Sequence, residues 1–352
     1  MKPQLAQWMI CPATGDKLTL EVEQQHDGEI LEGALLSNSG RHYPIRRGVP
    51  RMLSADLIDE GQKETGLAFS AKWRRATDFG HDEKSRSFYV NWYLQRYKFE
   101  TVERLKDFLS RKSRILDAGT GNGRDTRLYA ENSNALVFGL DLSESIDSAY
   151  NNLKTYPNVH LIQGDLTDLP FPEDFFDFIA CDQVLHHTRN TEESFYKLVT
   201  RLAPGGDISI YVYRKKAPLR ELADDYLRRV TAEMTEEKAW ELSEQLTELG
   251  RVLSEVNAKI DVPDIPALGV KRGTYDLQRF IYWNMLKCYW NSSLNYNDSV
   301  ITNFDWYRPH YAYRHSAEEV RTWFATAGLE ILTFDECDAG ISVRGRKRSV
   351  EG

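Results

Sequence analysis

Cysteine is scarce in this chain. Its 352 residues include four, Cys11, Cys181, Cys288 and Cys337, with no C-x-x-C pair. That spacing argues against a disulfide scaffold and a four-thiolate zinc site, and it suits a reducing cytoplasm. Long apolar runs are missing as well. None approaches the roughly 18 residues that a membrane span needs. The opening residues, MKPQLAQWMICPATGD, lack the apolar core of a secretory signal. Positive charge is in deficit: 45 Lys/Arg against 53 Asp/Glu give −8, which disfavours a general nucleic-acid binder because such proteins present a basic face. Hydrophobic residues make up 41%, enough for a sizeable core, and the length suits two domains or one large decorated domain.

Residues 114–126, RILDAGTGNGRDT, carry the strongest signal. Arg114 to Leu116 can enter a buried strand, Asp117 closes it, and Gly119, Gly121 and Gly123 follow at alternating positions. Glycines there allow a sharp turn and a close backbone approach to a ligand, and the amides of the turn and of the next helix offer donors. Further short apolar strands follow: Ala135 to Leu140, ending in Asp141; Val159 to Gln163, before Gly164-Asp165-Leu166; Phe176 to Cys181, before Asp182-Gln183; and Asp207 to Tyr213, after the turn Pro204-Gly205-Gly206. Strands alternating with helical segments predict a parallel doubly wound sheet, with ligands at the carboxyl ends of its strands. Asp141, about 20 residues past the glycine turn, is placed to accept ribose hydroxyls. A dinucleotide site would read G-x-G-x-x-G, whereas this turn reads G-T-G-N-G after an acid.

Across residues 114–213, order and spacing resemble the class I S-adenosylmethionine-dependent methyltransferases of the small-molecule type. The resemblance implies an α/β, doubly wound (Rossmann-like) sheet of seven strands. It also implies S-adenosylmethionine as cofactor. Asp117, Gly119, Thr120, Gly121 and Gly123 would lie against the methionine part. Asp141 and Leu142 would hold the ribose, Asp165 and the Leu166 amide would meet the adenine edge, and Asp182 and Gln183 would line the methyl end.

The flanking regions divide the rest. Residues 1–53 contain short strands, among them Glu29 to Ser37 and Tyr43-Pro-Ile45, and a Thr14-Gly15-Asp16 turn. They resemble a small bacterial zinc-ribbon-like domain, kin to the activator subunit of several methyltransferases. Its metal ligands are missing here, since Cys11 alone cannot build a tetrahedral site. The expectation is a metal-free, β-rich packing or substrate-side module with a free buried thiol. Residues 61–113 hold 12 Lys/Arg against 7 Asp/Glu and many aromatics. This segment reads as a helical lid over the cofactor, with Trp73 toward the substrate. Its surplus cations suit an anionic small substrate, while gripping RNA by stacking and phosphate contact is the alternative.

Residues 114–216 would form the cofactor-binding core, and residues 217–315 a helical, aromatic-rich cap inserted before the last elements. Ala239, Leu242, Leu246, Leu249, Leu253 and Val256 make an amphipathic stripe, either a helix-hairpin seam or a homodimer contact. Residues 275–290 are apolar nearly all round and should be buried. The dense polar and aromatic segment 303–315, broken by Pro309, should be a pocket wall rather than a plain helix. Residues 316–348 return to the core with a Ser316/Glu319 capping box and two edge strands. Candidates for a general base are His186, His187, Tyr307 and His310, with Asp305 and His315 nearby; His186 is weighed marginally above His187. Tyr311, Tyr313, Arg308 and Arg314 are candidates for substrate binding, the arginines by bidentate contact with an acid. The expected activity is methyl transfer to a small molecule. RNA methylation and a non-catalytic, cofactor-binding activator of a partner stand as alternatives.

Overall fold

The computed structural model describes residues 1–54, 58–77 and 79–349. The chain opens with a four-stranded antiparallel sheet in sequence order: β1 (Leu18–His26), β2 (Glu29–Ser37), β3 (His42–Arg46) and β4 (Val49–Pro50). Two-residue hairpins join it at Asp27-Gly28 and Arg47-Gly48. All four residues have positive φ, 48° and 79° then 51° and 79°, which is the type I′ geometry that matches strand twist. Cys11 is buried and free, with its thiol 3.2 Å from the Tyr43 hydroxyl. Among the described residues no group of three or more His, Cys, Asp or Glu could hold a metal ion.

Three helices follow, α1 (Glu60–Arg75), α2 (Glu83–Arg96) and α3 (Val102–Leu109). Each starts on a side-chain cap, at Asp59, Asp82 and Thr101. Next come β5 (Arg114–Ala118), α4 (Arg124–Glu131), β6 (Leu136–Asp141), α5 (Ser145–Leu153), β7 (Val159–Gln163), β8 (Phe176–Asp182), α6 (Thr191–Arg201) and β9 (Leu202–Tyr213). After an insertion, α11 (Ala317–Thr326), β12 (Leu329–Glu336) and β13 (Gly340–Lys347) close the fold. The insertion holds α7 (Pro218–Ala232), α8 (Glu236–Glu255), β10 (Lys259–Val262), β11 (Gly273–Asp276), α9 (Leu277–Asn284) and α10 (Tyr296–Tyr307).

The main sheet runs β12-β13-β9-β8-β5-β6-β7. Strands β9 to β7 are parallel, and β13 is antiparallel to both β9 and β12. This is the seven-stranded Rossmann-like sheet that the resemblance implied, and its parallel part is the doubly wound sheet that the strand spacing predicted. Burial on both faces explains its continuous apolar strands; Ile115, Val137, Phe138, Phe178 and Ile179 are fully enclosed. No helix among the described residues is long and apolar enough to cross a membrane.

The structure differs from the sequence reading in several places. The Pro204-Gly205-Gly206 turn lies inside β9: Phe176 pairs with Leu202 but Phe178 with Asp207, so the residues between loop out of register. The 303–315 segment begins as helix, because a capping box at Asn295 and Asp298 starts α10 and Pro309 acts only beyond its end. The first half of the α8 stripe packs inward, Ala239 sharing a core with Phe304 of α10, and Leu242 and Leu246 with Trp306 and Tyr307 of α10 and Leu227 of α7. The stripe's far end stays exposed, Val256 by 56%. Of residues 275–290 only 277–284 are helical, and Met285 is exposed. The β10-β11 hairpin has no counterpart in the sequence reading.

Candidate functional site

The carboxyl ends of β5, β6, β7 and β8 open into one cavity of about 350 Å³. At the end of β5, Asp117 is buried, and the Thr126 hydroxyl donates to it at 2.6 Å. Burial, with repulsion from Asp125 added, pushes the Asp117 carboxyl up to about 7. The glycine turn is tied to β6: the Gly119 and Thr120 amides donate to the Leu140 carbonyl at 2.7 and 2.9 Å. Gly119 and Gly121 adopt φ of 95° and 57°. A Cβ would stand 2.2 Å from Val184 at the first and 2.9 Å from Trp73 at the second. These positions line the cavity and demand glycine. Gly123 instead caps α4, and a Cβ there would strike Leu153; it lies outside the cavity wall.

Asp141 at the tip of β6 accepts from the Gly121 amide (2.8 Å), the Ser143 amide (2.8 Å) and the Ser143 hydroxyl (2.6 Å). It therefore holds the turn's shape as well as facing the cavity. Leu142 lies beside it in the wall. After β7, Asp165 accepts from the Thr167 amide at 2.8 Å and from the Gln62 side chain of α1 at 2.6 Å, with Leu166 also in the wall. Asp182 ends β8. Its carboxylate is held by Arg96 (2.7 Å) and the Tyr97 hydroxyl (2.8 Å), both buried, so its role at the cavity is through a locked ion pair. Gln183 follows at φ 62°, a strained value for a residue with a side chain.

Helices α1 and α2 roof this space with Phe69, Lys72, Trp73, Tyr89 and Trp92. Beyond them the cavity continues into the insertion, between Tyr211 and Tyr213 of β9, Tyr282, Lys287 and Trp306. At the junction stand Lys72, His187 and Asp305. Lys72 and Asp305 pair at 3.0 Å. Burial opposes ionisation of Asp305, yet the Lys72 ammonium holds its carboxyl below the usual range. The His187 Nδ1 lies 2.7 Å from the Tyr311 carbonyl. A carbonyl only accepts, so Nδ1 carries the proton and Nε2 is the acceptor. Burial pushes His187 down to about 4, against the pull of Asp305, and the ring is neutral at pH 7.

Several residues expected at the site lie elsewhere. His186, weighed above His187, is fully buried outside the cavity wall and stacks on Tyr213 at 3.6 Å. Tyr307 is buried in the insertion with its hydroxyl 3.2 Å from Asp224, because it sits on the α10 face turned away from the cavity. His310 is exposed and pairs with Glu64 at 2.7 Å. Arg308 is absent from the cavity wall. Tyr311 bonds Asp59 at 3.1 Å, Tyr313 is exposed, and Arg314 pairs with Glu221 (2.6 Å) and Asp225 (2.5 Å). His310, Tyr311, Tyr313 and Arg314 line an outer groove instead. The reason is the chain path. Past Pro309 it straps across the outside, with the Tyr313 amide on the His186 carbonyl (2.9 Å) and the His315 amide on that of Tyr213 (2.8 Å).

Gln62, Lys72, Arg96, Tyr97, Lys216 and Lys287 escaped the sequence reading. One signal was available: Lys287 is the lone charged residue in a stretch that is apolar apart from Asn284, YWNMLKCYW.

Residues 115–206 match the family described as Methyltransferase domain. A protein of Encephalitozoon cuniculi described as a methyltransferase is 31% identical over 140 residues, 39% of this chain and 61% of that protein. The ubiquinone/menaquinone biosynthesis C-methyltransferase of Vibrio vulnificus is 26% identical over 132 residues, 35% of this chain and 50% of that enzyme. This chain thus spans about half to three fifths of these relatives' lengths. Among solved structures, the Burkholderia thailandensis 1,6-didemethyltoxoflavin-N1-methyltransferase aligns with 94% of this chain and 100% of its own, at 12% identity and a TM-score of 0.43. The stretch from Ile115 to Gly206, the core of the sheet, is thus the part of the chain that is similar to methyltransferase domains.

Proposed function

We propose that this chain is an S-adenosylmethionine-dependent methyltransferase whose acceptor is a small molecule held under the inserted helices. The observation that carries the reading is the continuity of one cavity from the glycine turn to the aromatic interior of the insertion. The names of the relatives point the same way: quinone and sterol biosynthesis both use small acceptors.

The residues present fit the cofactor. The turn at Gly119 and Gly121 leaves backbone bare where a Cβ would fill the cradle, and the acids Asp117, Asp141 and Asp165 line one side of the space. Asp141 with Leu142 would hold the ribose, Asp165 with Leu166 the adenine edge, and the turn with Asp117 the methionine part. When bound, the cofactor supplies an activated methyl group. The protein's own share is placement and exclusion of water, which α1 and α2 provide as a roof. For an acceptor carrying a hydroxyl or amine, His187 is the base we assign, taking the proton on Nε2 while Nδ1 stays on the Tyr311 carbonyl. The N-terminal sheet, read as a ribbon-like domain without its ligands, serves as a packing module in this scheme.

Parallel calorimetric titration with S-adenosylmethionine, S-adenosylhomocysteine and NAD tests the cofactor. Binding of both sulfur nucleotides without NAD, followed by transfer of labelled methyl to a small-molecule extract, is the expected result. Label on RNA would move the acceptor class, and cofactor binding with no label anywhere would favour a non-catalytic activator.

A further inference from the structure

The inner half of the cavity is lined by more basic side chains than acids. Three of them stand by the Trp306 ring, Lys287 at 4.2 Å from its centroid, Arg220 at 5.3 Å and Lys216 at 5.8 Å, while Arg228 reaches the same ring at 5.0 Å from the outer groove. Two carboxylates lie among them. Asp224 is taken by Arg220 at 2.9 Å and approached by the Tyr307 hydroxyl at 3.2 Å. Asp305 is taken by Lys72 at 3.0 Å. Lys216 donates to the Asp338 and Ala339 carbonyls and has no carboxylate partner among the described residues.

Lys287 is the sharpest case. It is 6% exposed, it lines the cavity, and its ammonium has neither a hydrogen-bond acceptor nor an acid within ion-pair distance among the described residues, though Asp305 and Asp224 act on it from farther off. Burying an ammonium without an anion is costly. Burial first, then Arg220, holds Lys287 well below its ordinary pKa, with Asp305 and Asp224 pulling the other way, so an anion brought against it would favour the charged form. Flat rings wall the same space: Tyr211, Tyr282, Trp283 and Tyr289. A ring-bearing ligand would gain apolar contact there, and its acidic group would meet Lys287.

We infer that the inner end of the cavity is an anion site for the methyl acceptor, an aromatic compound bearing a carboxylate or phosphate, with Lys287 as its direct ligand and Lys216 beside it. The inference rests on the methyltransferase reading only for the word acceptor; the anion site stands on its own residues.

The test uses the full chain and three probes, benzoate, phenyl phosphate and the neutral benzamide, titrated calorimetrically with and without S-adenosylhomocysteine. At least one of the two anions should bind, and whichever does names the acidic group. Benzamide should bind roughly tenfold or more weakly, since a charge-assisted contact is lost. Lys287→Met should weaken the anion roughly tenfold or more, Lys287→Arg should retain it within about threefold, and both should bind S-adenosylhomocysteine as the parent does. A melting temperature at or above the parent's would show that Lys287→Met is folded, as expected when an unpaired buried cation is removed. Equal affinity for benzamide, unchanged anion affinity in Lys287→Met, or no anion binding at millimolar concentration would each overturn the site. Failure of the parent protein to bind S-adenosylhomocysteine would instead remove the methyltransferase reading and leave the anion result legible.

Discussion

Two acids at the strand tips answer to different physics. Asp141 bonds three donors of its own loop, so Asp141→Ala removes the acceptor of the Gly121 amide as well as any cofactor contact. Hydrogen bonds to a charged group are worth about 1.5–3 kcal/mol each. S-adenosylmethionine affinity should therefore drop by at least ~10-fold in calorimetry; unchanged affinity would refute the ribose assignment. Asp117 is the pH-sensitive partner. Burial, then Asp125 and Asp182, raise its pKa to about 7, while the Thr126 and Thr120 hydroxyls pull the other way. Below that pH the empty protein keeps Asp117 neutral. A cationic ligand favours the carboxylate, so its binding should release a proton and tighten as pH rises from 6 to 8. Titrations in buffers of different ionisation enthalpy read that proton directly, and a flat profile would place Asp117 away from the cofactor's charge. His310 belongs to the surface: it is exposed and paired with Glu64. His310→Ala should leave methyl-transfer rates within about twofold, in keeping with surface substitutions generally.

Helix α1 is the element that joins the two halves of the site. Its first turn carries a capping box, Asp59 with Gln62, and the same Gln62 donates to Asp165 at the expected adenine edge. Further along, Lys72 reaches Asp305 of α10. Its outer side is pinned by the 308–315 strap: the Tyr311 amide meets Thr65 at 3.2 Å, and a Cβ on Gly61 would stand 2.5 Å from the Tyr311 ring. Gly61→Val should lift α1, speed amide exchange along it and weaken S-adenosylhomocysteine, whereas exchange in the β5-β6 core should stay slow. Uniform loss of protection would mean general unfolding instead. The helices before the glycine turn were legible in the sequence because their signals are local: dense aromatics, surplus cations, and a position just ahead of that turn. The strand tips were visible for the same reason, as was the Ser316/Glu319 box, which the structure forms. The insertion was opaque. Whether Tyr307 or Trp306 faces the cavity depends on the rotation of α10 against α8, a long-range choice that no spacing within 303–315 encodes. Pro309 suggested a break, but a proline ends a helix only where it stands, and the capping box upstream had already committed residues 296–307.

At the scale of the molecule, the N-terminal sheet is built into the fold. Met9, Leu35, Tyr43 and Ile45 share one core with Phe138, Ile162 and Phe171 of the seven-stranded sheet and its loops. Trp8 stands edge-on to Phe138 at 5.6 Å, and Arg51 reaches Asp147 at 2.5 Å. The Met52 amide donates to the Gln163 carbonyl at 2.7 Å, covering the edge of β7, which would otherwise offer unpaired backbone to other chains. A module merely tethered to an enzyme would melt separately from it; a shared core melts once. Leu35 is fully buried in that core, so Leu35→Ala should cost about 2–5 kcal/mol through lost transfer and a residual cavity. The cost should appear as a downward shift of a single calorimetric transition, the same one that S-adenosylhomocysteine shifts upward by binding the native state. If Leu35→Ala instead moved a minor early transition and left the ligand-sensitive one in place, the two sheets would be separate folding units. The N-terminal domain's contribution would then have to be sought in a partner or substrate rather than in the stability of the catalytic core.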